Sequence, residues 1–191
     1  MPQTHKKPKP KRLVIDTNIA TSSGESGKPE AKICKNLLDG VKDSGHILVM
    51  TDRIKGEWLR EGSKYAKIWL GQMMPNQVCT INLAIDNPTL SEKCKEIEKI
   101  IKSVTDADER KAMLEDFLLI EAALATDKII VSHDHEARGF FVKLSQTVPE
   151  LQLIMWKSPW KQDTKRWVKT DAKIQKRYCL GFGISKAEKS V

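Results

Sequence analysis

Residues 12–20 read RLVIDTNIA, a short apolar run that stops abruptly at three polar side chains. The run 13–15 is continuously apolar, which is typical of a strand that is buried on both faces of a sheet. Asp16, Thr17 and Asn18 follow it directly. The stretch therefore predicts a central strand of a parallel sheet, with a carboxylate at its carboxyl end.

Four further apolar runs along the chain predict the other strands of this sheet. They are residues 47–50, 78–83, 128–131 and 151–156. Helical patterns lie between and after these runs, over residues 30–43, 65–74, 88–104, 108–126 and 135–146. Short strands that alternate with helices are typical of α/β proteins. We therefore expect a three-layer α/β/α sandwich with a central, mostly parallel sheet of four to five strands.

Length and composition indicate one globular domain. The 191 residues suffice for a single core, and 40% of them are apolar while 30% are charged. No apolar run approaches the roughly 20 residues of a membrane helix, and the basic start lacks the apolar stretch of a secretory signal. Four cysteines form no CxxC pair, so we expect free thiols. These features predict a cytoplasmic protein without a membrane segment.

The net charge of +8 is unevenly distributed along the chain. Residues 1–12 carry five Lys or Arg and no acid, and residues 157–191 carry ten basic and three acidic side chains. The remaining 13–156 is slightly acidic, with 18 basic and 22 acidic residues. We therefore divide the chain into a basic arm (1–11), a body (12–156) and a basic helix and tail (157–191). Such ends favour a polyanionic partner, although basic tails also serve solubility alone.

The segment after the body combines basic and aromatic side chains. Trp160, Trp167 and Ile174 are seven residues apart, which predicts a basic helix over 158–177 with one apolar seam. Basic side chains there would follow phosphates while an indole stacks on a base; alternatively, the tryptophans pack the helix onto the body. The predicted nucleic-acid-binding residues are Lys157, Lys161, Lys165, Arg166, Lys169 and Lys173.

Four acids are placed to meet at one edge of the predicted sheet. Asp16 and Asp134 each follow a buried strand, Glu57 lies on the helix after the second strand, and Asp116 lies on the helix before the fourth. Active sites of open α/β sheets form outside the carboxyl ends of the strands. All four acids reach one crevice there if the first and fourth strands are neighbours. Each acid alone also fits a turn, a helix cap or a solvated helix.

Clustered carboxylates suit hard divalent cations. Mg²⁺ and Mn²⁺ prefer carboxylate oxygens, and such an ion lowers the pKa of its water and orients a phosphate. Without a cation the carboxylates repel each other, so some of their pKa values should be raised. His133 and His135 flank Asp134, but hard metals prefer oxygen, which favours solvent-facing or supporting histidines.

Three stretches together resemble the PIN-domain family of small metal-dependent nucleases, which includes the VapC-like ribonucleases. RLVIDTNIA resembles the family's first strand with its leading Asp. LEDFLLIEAALATDKIIVSHDHE, residues 114–136, resembles its late helix and strand with the following Ser/Thr-x-Asp. ILVMTDRIKGEWLREG, residues 47–62, carries Glu57 at the place of the family's helical Glu. The resemblance covers roughly residues 12–156.

The resemblance implies an endoribonuclease that needs Mg²⁺ or Mn²⁺ and hydrolyses single-stranded or structured RNA through a metal-activated water. It implies no covalent intermediate, and products with a 5′-phosphate and a 3′-hydroxyl. The implied catalytic and metal-binding acids are Asp16, Glu57, Asp116 and Asp134, with Glu136 as a fifth metal-binding acid. The implied polar supports are Thr17, Asn18 and Ser132.

The resemblance also bears on partners. It implies RNA as substrate, with DNA as an alternative, and it includes homodimers and toxins that are held by a protein inhibitor or antitoxin. This chain departs from the compact toxins by its basic ends and by a longer helix over 91–104 and loop over 21–29. The basic ends weaken a toxin–antitoxin assignment and leave the nuclease expectation unchanged, whereas the longer helix and loop could shape a substrate channel.

Two other function classes compete with a nuclease. One is a non-catalytic PIN-like protein that binds RNA or acts as a scaffold, with the acids as remnants. The other is a phospho-switch of the receiver type, which places a phosphorylatable Asp after its third strand. Asp86 is the nearest acid to that place in this chain, and the first strand is followed by a single acid, Asp16.

Overall fold

Five short strands form one parallel sheet in the structure, which is a computed structural model describing residues 9–24, 27–73, 75–160 and 164–182. The strands are β1 (Arg12–Ile15), β2 (Ile47–Met50), β3 (Val78–Thr80), β4 (Ile129–Val131) and β5 (Met155–Lys157). Their spatial order is β3-β2-β1-β4-β5, and every neighbouring pair is parallel. Helices flank the sheet, so the predicted α/β/α architecture is confirmed.

Nine α-helices connect and cover the strands in the described part of the chain. They are α1 (Thr17–Ser22), α2 (Pro29–Asp43), α3 (Asp52–Glu61), α4 (Lys64–Gln72), α5 (Leu83–Asp86), α6 (Pro88–Lys102), α7 (Ala107–Leu124), α8 (His135–Leu144) and α9 (Thr164–Lys169). Several begin at a side-chain cap, such as Thr51 before α3 and Asp106 before α7, each accepting from a backbone N–H of the first turn. Among the described residues no helix has the length and apolar character to cross a membrane.

The central strands of the sheet are buried on both faces, which explains why continuous apolar runs predicted them. In β1 and β4 every apolar side chain is fully buried, because helices cover both faces of the sheet. Val14 pairs with Ile130, and the ladder continues where the Asp16 N–H donates to the Val131 carbonyl at 3.0 Å. The first and fourth strands are therefore neighbours, which was the condition for bringing the acids together.

Some predicted boundaries differ from the structure. Residues 21–22 belong to α1 rather than to a loop. The third strand ends at Thr80 and α5 follows, while β5 starts only at Met155 because residues 149–151 form a 3-10 turn. These differences lie at element ends, where local pattern is weakest.

The predicted helix over 158–177 is wrong in length. Helix α9 ends at Lys169, and Ala172 adopts a φ of 45°, outside the right-handed helical region. The Trp167 indole is buried and donates to the Lys173 carbonyl at 2.7 Å, whereas Ile174 is exposed. The seven-residue seam is therefore not formed along one helix.

Lys157 is corrected by the structure as a nucleic-acid-binding residue. It is the last residue of β5 and is fully buried. Its ammonium lies 4.2 Å from the ring centre of Tyr178 and 5.4 Å from that of Trp167, and it donates to the Gln175 side chain at 3.2 Å. A buried cation needs such partners, so Lys157 ties the C-terminal segment to the sheet instead of meeting phosphate.

The described part of the C-terminal segment, residues 157–160 and 164–182, packs against the body. Helix α9 packs against α2, and the buried ring of His46 accepts from the Lys11 N–H while its Nε2 lies 2.8 Å from the Val168 carbonyl. These contacts place Val168, near the end of α9, at the amino edge of the sheet, where β1 and β2 begin. Helix α9 is thereby fixed against the body of the protein.

Candidate functional site

An open cavity of about 420 Å³ lies at the carboxyl edge of the sheet. It collects polar side chains from α1, α3 and α7 and from the turn after β4. Its lining consists of Asp16, Thr17, Asn18, Thr21, Ser22, Glu57, Glu61, Asp116, His133 and Asp134. The four acids that were expected to converge therefore share one cavity.

Asp16 is the most buried of these acids and is held in place by two donors. Asp16 is only 9% exposed. Its carboxylate caps α1 by accepting a hydrogen bond from the Asn18 N–H at 3.2 Å. The Ser132 hydroxyl donates to the other carboxylate oxygen at 2.7 Å. The Asn18 amide in turn donates to the Ser132 oxygen at 3.0 Å. Two of the three predicted supports, Asn18 and Ser132, thus orient the Asp16 carboxylate.

Asp134 is fixed through the same hydroxyl. Its backbone N–H donates to the Ser132 oxygen at 3.0 Å, and its side chain accepts from the Ala137 N–H at 2.8 Å. Asp134 is therefore the cap of α8, which was the alternative interpretation of this residue. The cap uses Oδ1, and the residue still lines the cavity, so the two roles are compatible.

Glu57 reaches the cavity because α3 is anchored to the end of β1. The buried Trp58 indole donates to the Ile15 carbonyl at 3.1 Å, one residue before Asp16. The Glu57 carboxylate lies 3.5 Å from the Thr17 hydroxyl and 3.5 Å from the Arg53 side chain. Both distances are long, so Glu57 is only weakly held and keeps some freedom to turn.

Asp116 enters from α7, whose apolar side packs against β1 and β4. The pKa of this carboxyl is raised to about 7, first by burial and then by repulsion from the neighbouring acids, which are Asp16, Asp134, Glu115 and Glu57. The pKa of Asp16 is also raised, first by burial and then by the charge of Asp134, against the lowering effect of Ser132. The expected mutual repulsion of the acids is therefore present.

Cationic side chains do not neutralise this cluster. Within the described segments no Lys or Arg forms an ion pair with Asp16, Asp116 or Asp134, and only Glu57 has such a partner in Arg53. A cluster of this kind is costly to the fold unless a cation or protons compensate its charge. The donor chemistry, all carboxylate and hydroxyl oxygen, is that of hard divalent ions.

The cluster is not arranged as a finished metal cage. No group of three or more His, Cys, Asp or Glu side chains among the described residues is placed to hold a metal ion as it stands. Carboxylates that repel one another have no reason to converge on a single point before a cation is present. The residues therefore fit a divalent ion by chemistry and by shared cavity, and would need side-chain rotation to ligate it.

Two groups of predicted residues lie elsewhere. Glu136 is exposed in the first turn of α8 and does not line the cavity. Lys161 lies outside the described residues. Four of the basic side chains, those of Lys165, Arg166, Lys169 and Lys173, are exposed on α9 and the turn after it, although Lys173 pairs with Asp171 at 3.0 Å.

Three residues of the lining were not predicted from the sequence. Thr21, Ser22 and Glu61 each stand four residues after a predicted site residue, namely Thr17, Asn18 and Glu57. Residues four apart share one face of a helix. Helical spacing was therefore a usable signal, and treating 21–22 as a loop concealed part of it.

His133 joins the cavity to an aromatic neighbour. Its Nε2 lies 3.3 Å from the Ser22 hydroxyl, and its ring stacks on Trp160 with 5.5 Å between ring centres and 24° between planes. This places His133 in the wall of the cavity, as a polar and aromatic surface rather than within a set of metal ligands.

The chemistry of this site follows from its own residues. Comparison of the chain with protein-family models, with curated proteins and with solved structures gave no match.

Proposed function

We propose that this protein is a metal-dependent endonuclease that hydrolyses phosphodiester bonds of RNA, with the PIN-type site assignment suggested by its motifs. One observation carries the proposal. The carboxylates of Asp16, Glu57, Asp116 and Asp134, brought from four separate elements, face one open cavity at the carboxyl edge of the sheet. Chance clustering of acids with so little cationic compensation is disfavoured because it destabilises the fold.

In this proposal the four acids hold Mg²⁺ or Mn²⁺. A bound divalent ion would lower the pKa of a water molecule, orient the phosphate and stabilise the leaving oxygen. The chain itself supplies orientation: Ser132 and Asn18 hold Asp16, and the weakly held Glu57 can adjust to the ligand. Repulsion from the neighbouring acids contributes to the raised pKa of Asp116, after burial, and a bound cation would relieve that repulsion.

The substrate is assigned from charge. A phosphate backbone approaching an acidic cavity requires cations close by, because unscreened carboxylates repel it. The exposed Lys165 lies at the start of α9 near Trp160, whose ring stacks on His133 of the acidic cavity, and the exposed Arg166 and Lys169 follow it along the helix. Contacts to phosphate do not separate RNA from DNA, so DNA remains the alternative substrate. Homodimers and a protein inhibitor remain part of the proposal only through the family resemblance.

A non-catalytic RNA-binding protein is the second candidate. It is favoured by the absence of a ready metal cage among the described residues. The receiver-type switch is less consistent with the fold, because the order β3-β2-β1-β4-β5 differs from the 2-1-3-4-5 order of receiver proteins. Asp86 also lies on α5, away from the acidic cavity.

Asp16→Asn tests the nuclease proposal. The substitution keeps the shape of the side chain and removes one charge from the cluster. We expect cutting of single-stranded RNA in Mn²⁺ to fall by about a thousandfold, the rate equivalent of roughly 4 kcal/mol of lost charge stabilisation. Asp108→Asn, an exposed acid on α7, is the matched control and should cut normally.

The same experiment separates the two candidates. Cleavage by the wild-type chain that Asp16→Asn abolishes supports the enzyme. RNA binding without cleavage across Mg²⁺ and Mn²⁺ titrations supports the non-catalytic alternative. Unchanged cutting by a folded Asp16→Asn chain rejects the site assignment. A matched panel with single-stranded DNA decides between the two nucleic acids.

A further inference from the structure

We infer that a second, smaller pocket beside the acidic cavity receives one unpaired base of the nucleic-acid substrate. The pocket lies between α2 and the segment that connects β5 to α9. The inference rests on the proposed function, because it names the part of the substrate that the neighbouring site would recognise.

The dimensions and walls of the pocket suit one planar ring system. Its volume is about 230 Å³, below the roughly 300–1,000 Å³ of pockets for drug-sized ligands. Ile33 and Leu37 line it from α2, and Pro159 lines it from the residues that follow β5. An apolar lining favours a weakly polar group over a charged one.

Three further side chains of the pocket match the chemistry of a nucleotide. Trp160 contributes an indole, the side chain that stacks most favourably on bases. Asn36 contributes an amide that can both donate to and accept from a base edge. Lys165 is exposed at the pocket, where its ammonium suits a phosphate. An apolar peptide side chain would contact neither Asn36 nor Lys165 through a polar interaction. The charge and polarity of these two side chains therefore favour a nucleotide.

The pocket is continuous with the candidate site through one aromatic pair. Trp160 lines the pocket and stacks on His133, and His133 lines the acidic cavity. A base in the pocket would therefore hold its strand beside the four carboxylates. This arrangement gives single-stranded RNA an advantage over duplex RNA, whose bases are already stacked and paired.

The test is a binding measurement that needs no cleavage. The full chain carrying Asp16→Asn is titrated, in EDTA, with a short single-stranded RNA in which an abasic site is moved along the strand. We expect one abasic position to weaken binding by about tenfold, because stacking of one base is lost. When Trp160→Leu is added to the Asp16→Asn chain, the intact and abasic RNAs should bind with equal affinity. That affinity should match the weakened binding of the abasic RNA to the parent chain.

Conservative and remote variants complete the design. Trp160→Phe keeps a stacking ring and should retain most of the abasic effect, whereas Ile85→Ala, which removes a 75% exposed side chain on α5, should leave it unchanged. Ile33→Trp fills the pocket from α2 and should act like Trp160→Leu, which keeps the test decisive if that variant fails to fold. Circular dichroism and thermal unfolding verify the fold of each variant.

Two outcomes overturn the base pocket: no abasic position with a specific loss, or the same loss in Trp160→Leu as in its parent chain. Failure of the nuclease proposal looks different, because a wild-type chain that never cuts RNA in Mn²⁺ would leave the abasic effect intact. Conversely, cutting that persists without any abasic effect rejects the pocket and leaves the nuclease standing.

Discussion

At the scale of single residues, Ser132 is the most connected group of the site. A serine hydroxyl has one donor and two acceptor positions. All three are used: it donates to Asp16 and accepts from the Asn18 amide and the Asp134 N–H. One small side chain therefore sets the orientation of two carboxylates that come from different strands.

Ser132→Ala should lower cleavage by 10- to 100-fold, about the range for losing a group that orients a metal ligand. The substitution removes a donor to Asp16 and leaves the Asp134 N–H and the Asn18 amide without their acceptor. The sharper readout is a Mn²⁺ titration, in which half-maximal activity should shift to higher metal concentration. Ser103→Ala removes a hydroxyl that bonds only within the end of α6 and serves as control. An unshifted Mn²⁺ dependence would contradict this role.

Asp116→Asn should flatten the dependence of stability on pH in metal-free solution. The carboxyl has a pKa of about 7 in the fold, against an ordinary value of 3.8. The folded state therefore binds more protons than the unfolded one between these values, and wild-type stability falls as pH rises from 3.8 through about 7. Above that range the variant should be more stable by about 1–2 kcal/mol, reduced by solvent screening.

Urea unfolding in EDTA at a series of pH values measures this difference. The variant and wild type should have converging stabilities at the acidic end, where Asp116 is protonated in both states. Added Mn²⁺ should stabilise the wild type more than the variant, since a bound cation removes the repulsion. Equal pH slopes for the two chains would show that Asp116 is not strained by its neighbours.

At the scale of elements, the position of α9 depends on a close approach to α2. A Cβ added to Gly40 would lie 2.6 Å from a methyl group of Val168, so only glycine permits this packing. His46 adds a second tie, because its ring nitrogens link the chain at Lys11 to the Val168 carbonyl. The pKa of His46 is lowered by burial, so the ring is held neutral in this role.

Gly40→Ala should destabilise the protein by about 1 kcal/mol, the overpacking cost outweighing the helix preference for alanine. Val168 is stiff about χ1, so its methyl group cannot easily turn away. In a Val168→Ala background the same substitution should become stabilising, which denaturant unfolding can measure as a coupling energy. Gly56→Ala on α3 is the control, because nothing lies within 4 Å of its added Cβ. Stabilisation by Gly40→Ala alone would mean that α9 does not sit against α2 as described.

Across the whole molecule, acidic and basic side chains occupy different surfaces. Acids gather at the carboxyl ends of the strands, while the exposed Lys165 at the start of α9 lies near Trp160, whose ring stacks on His133 in the wall of the acidic cavity. A polyanion would be attracted by the basic side and held with its backbone near the carboxylates. Lys157 packs in the core instead. Among the described residues it is the one predicted nucleic-acid-binding residue that is buried.

Salt dependence of RNA binding should separate these basic residues. Lys165→Gln and Arg166→Gln, both at the start of α9, should each reduce the slope of log affinity against log salt by about 0.7, the value for one phosphate contact on a single strand. Lys99→Gln on α6, exposed and away from the cavity, should leave the slope unchanged. Binding by the Asp16→Asn chain in EDTA provides the measurement. Identical slopes for all three variants would remove α9 from the binding surface.

The central strands, and the residues that follow them, were predictable from local sequence alone. Burial on both faces of a sheet requires continuous apolar runs, so the runs around 13–15, 47–50 and 129–131 marked their strands locally. The same local reading put Asp16 and Asp134 at the carboxyl ends, because polar residues after a buried strand must lie at its edge.

Which helices and strands contact one another could be seen only in the folded structure. Adjacency of β1 and β4, anchoring of α3 through Trp58, and the closeness of α9 to α2 at Gly40 depend on contacts between residues far apart in sequence. It likewise turned Lys157 inward and left Glu136 outside the cavity. Periodicity reports the faces of one element, whereas a site is set by long-range packing between elements, and no local pattern encodes that.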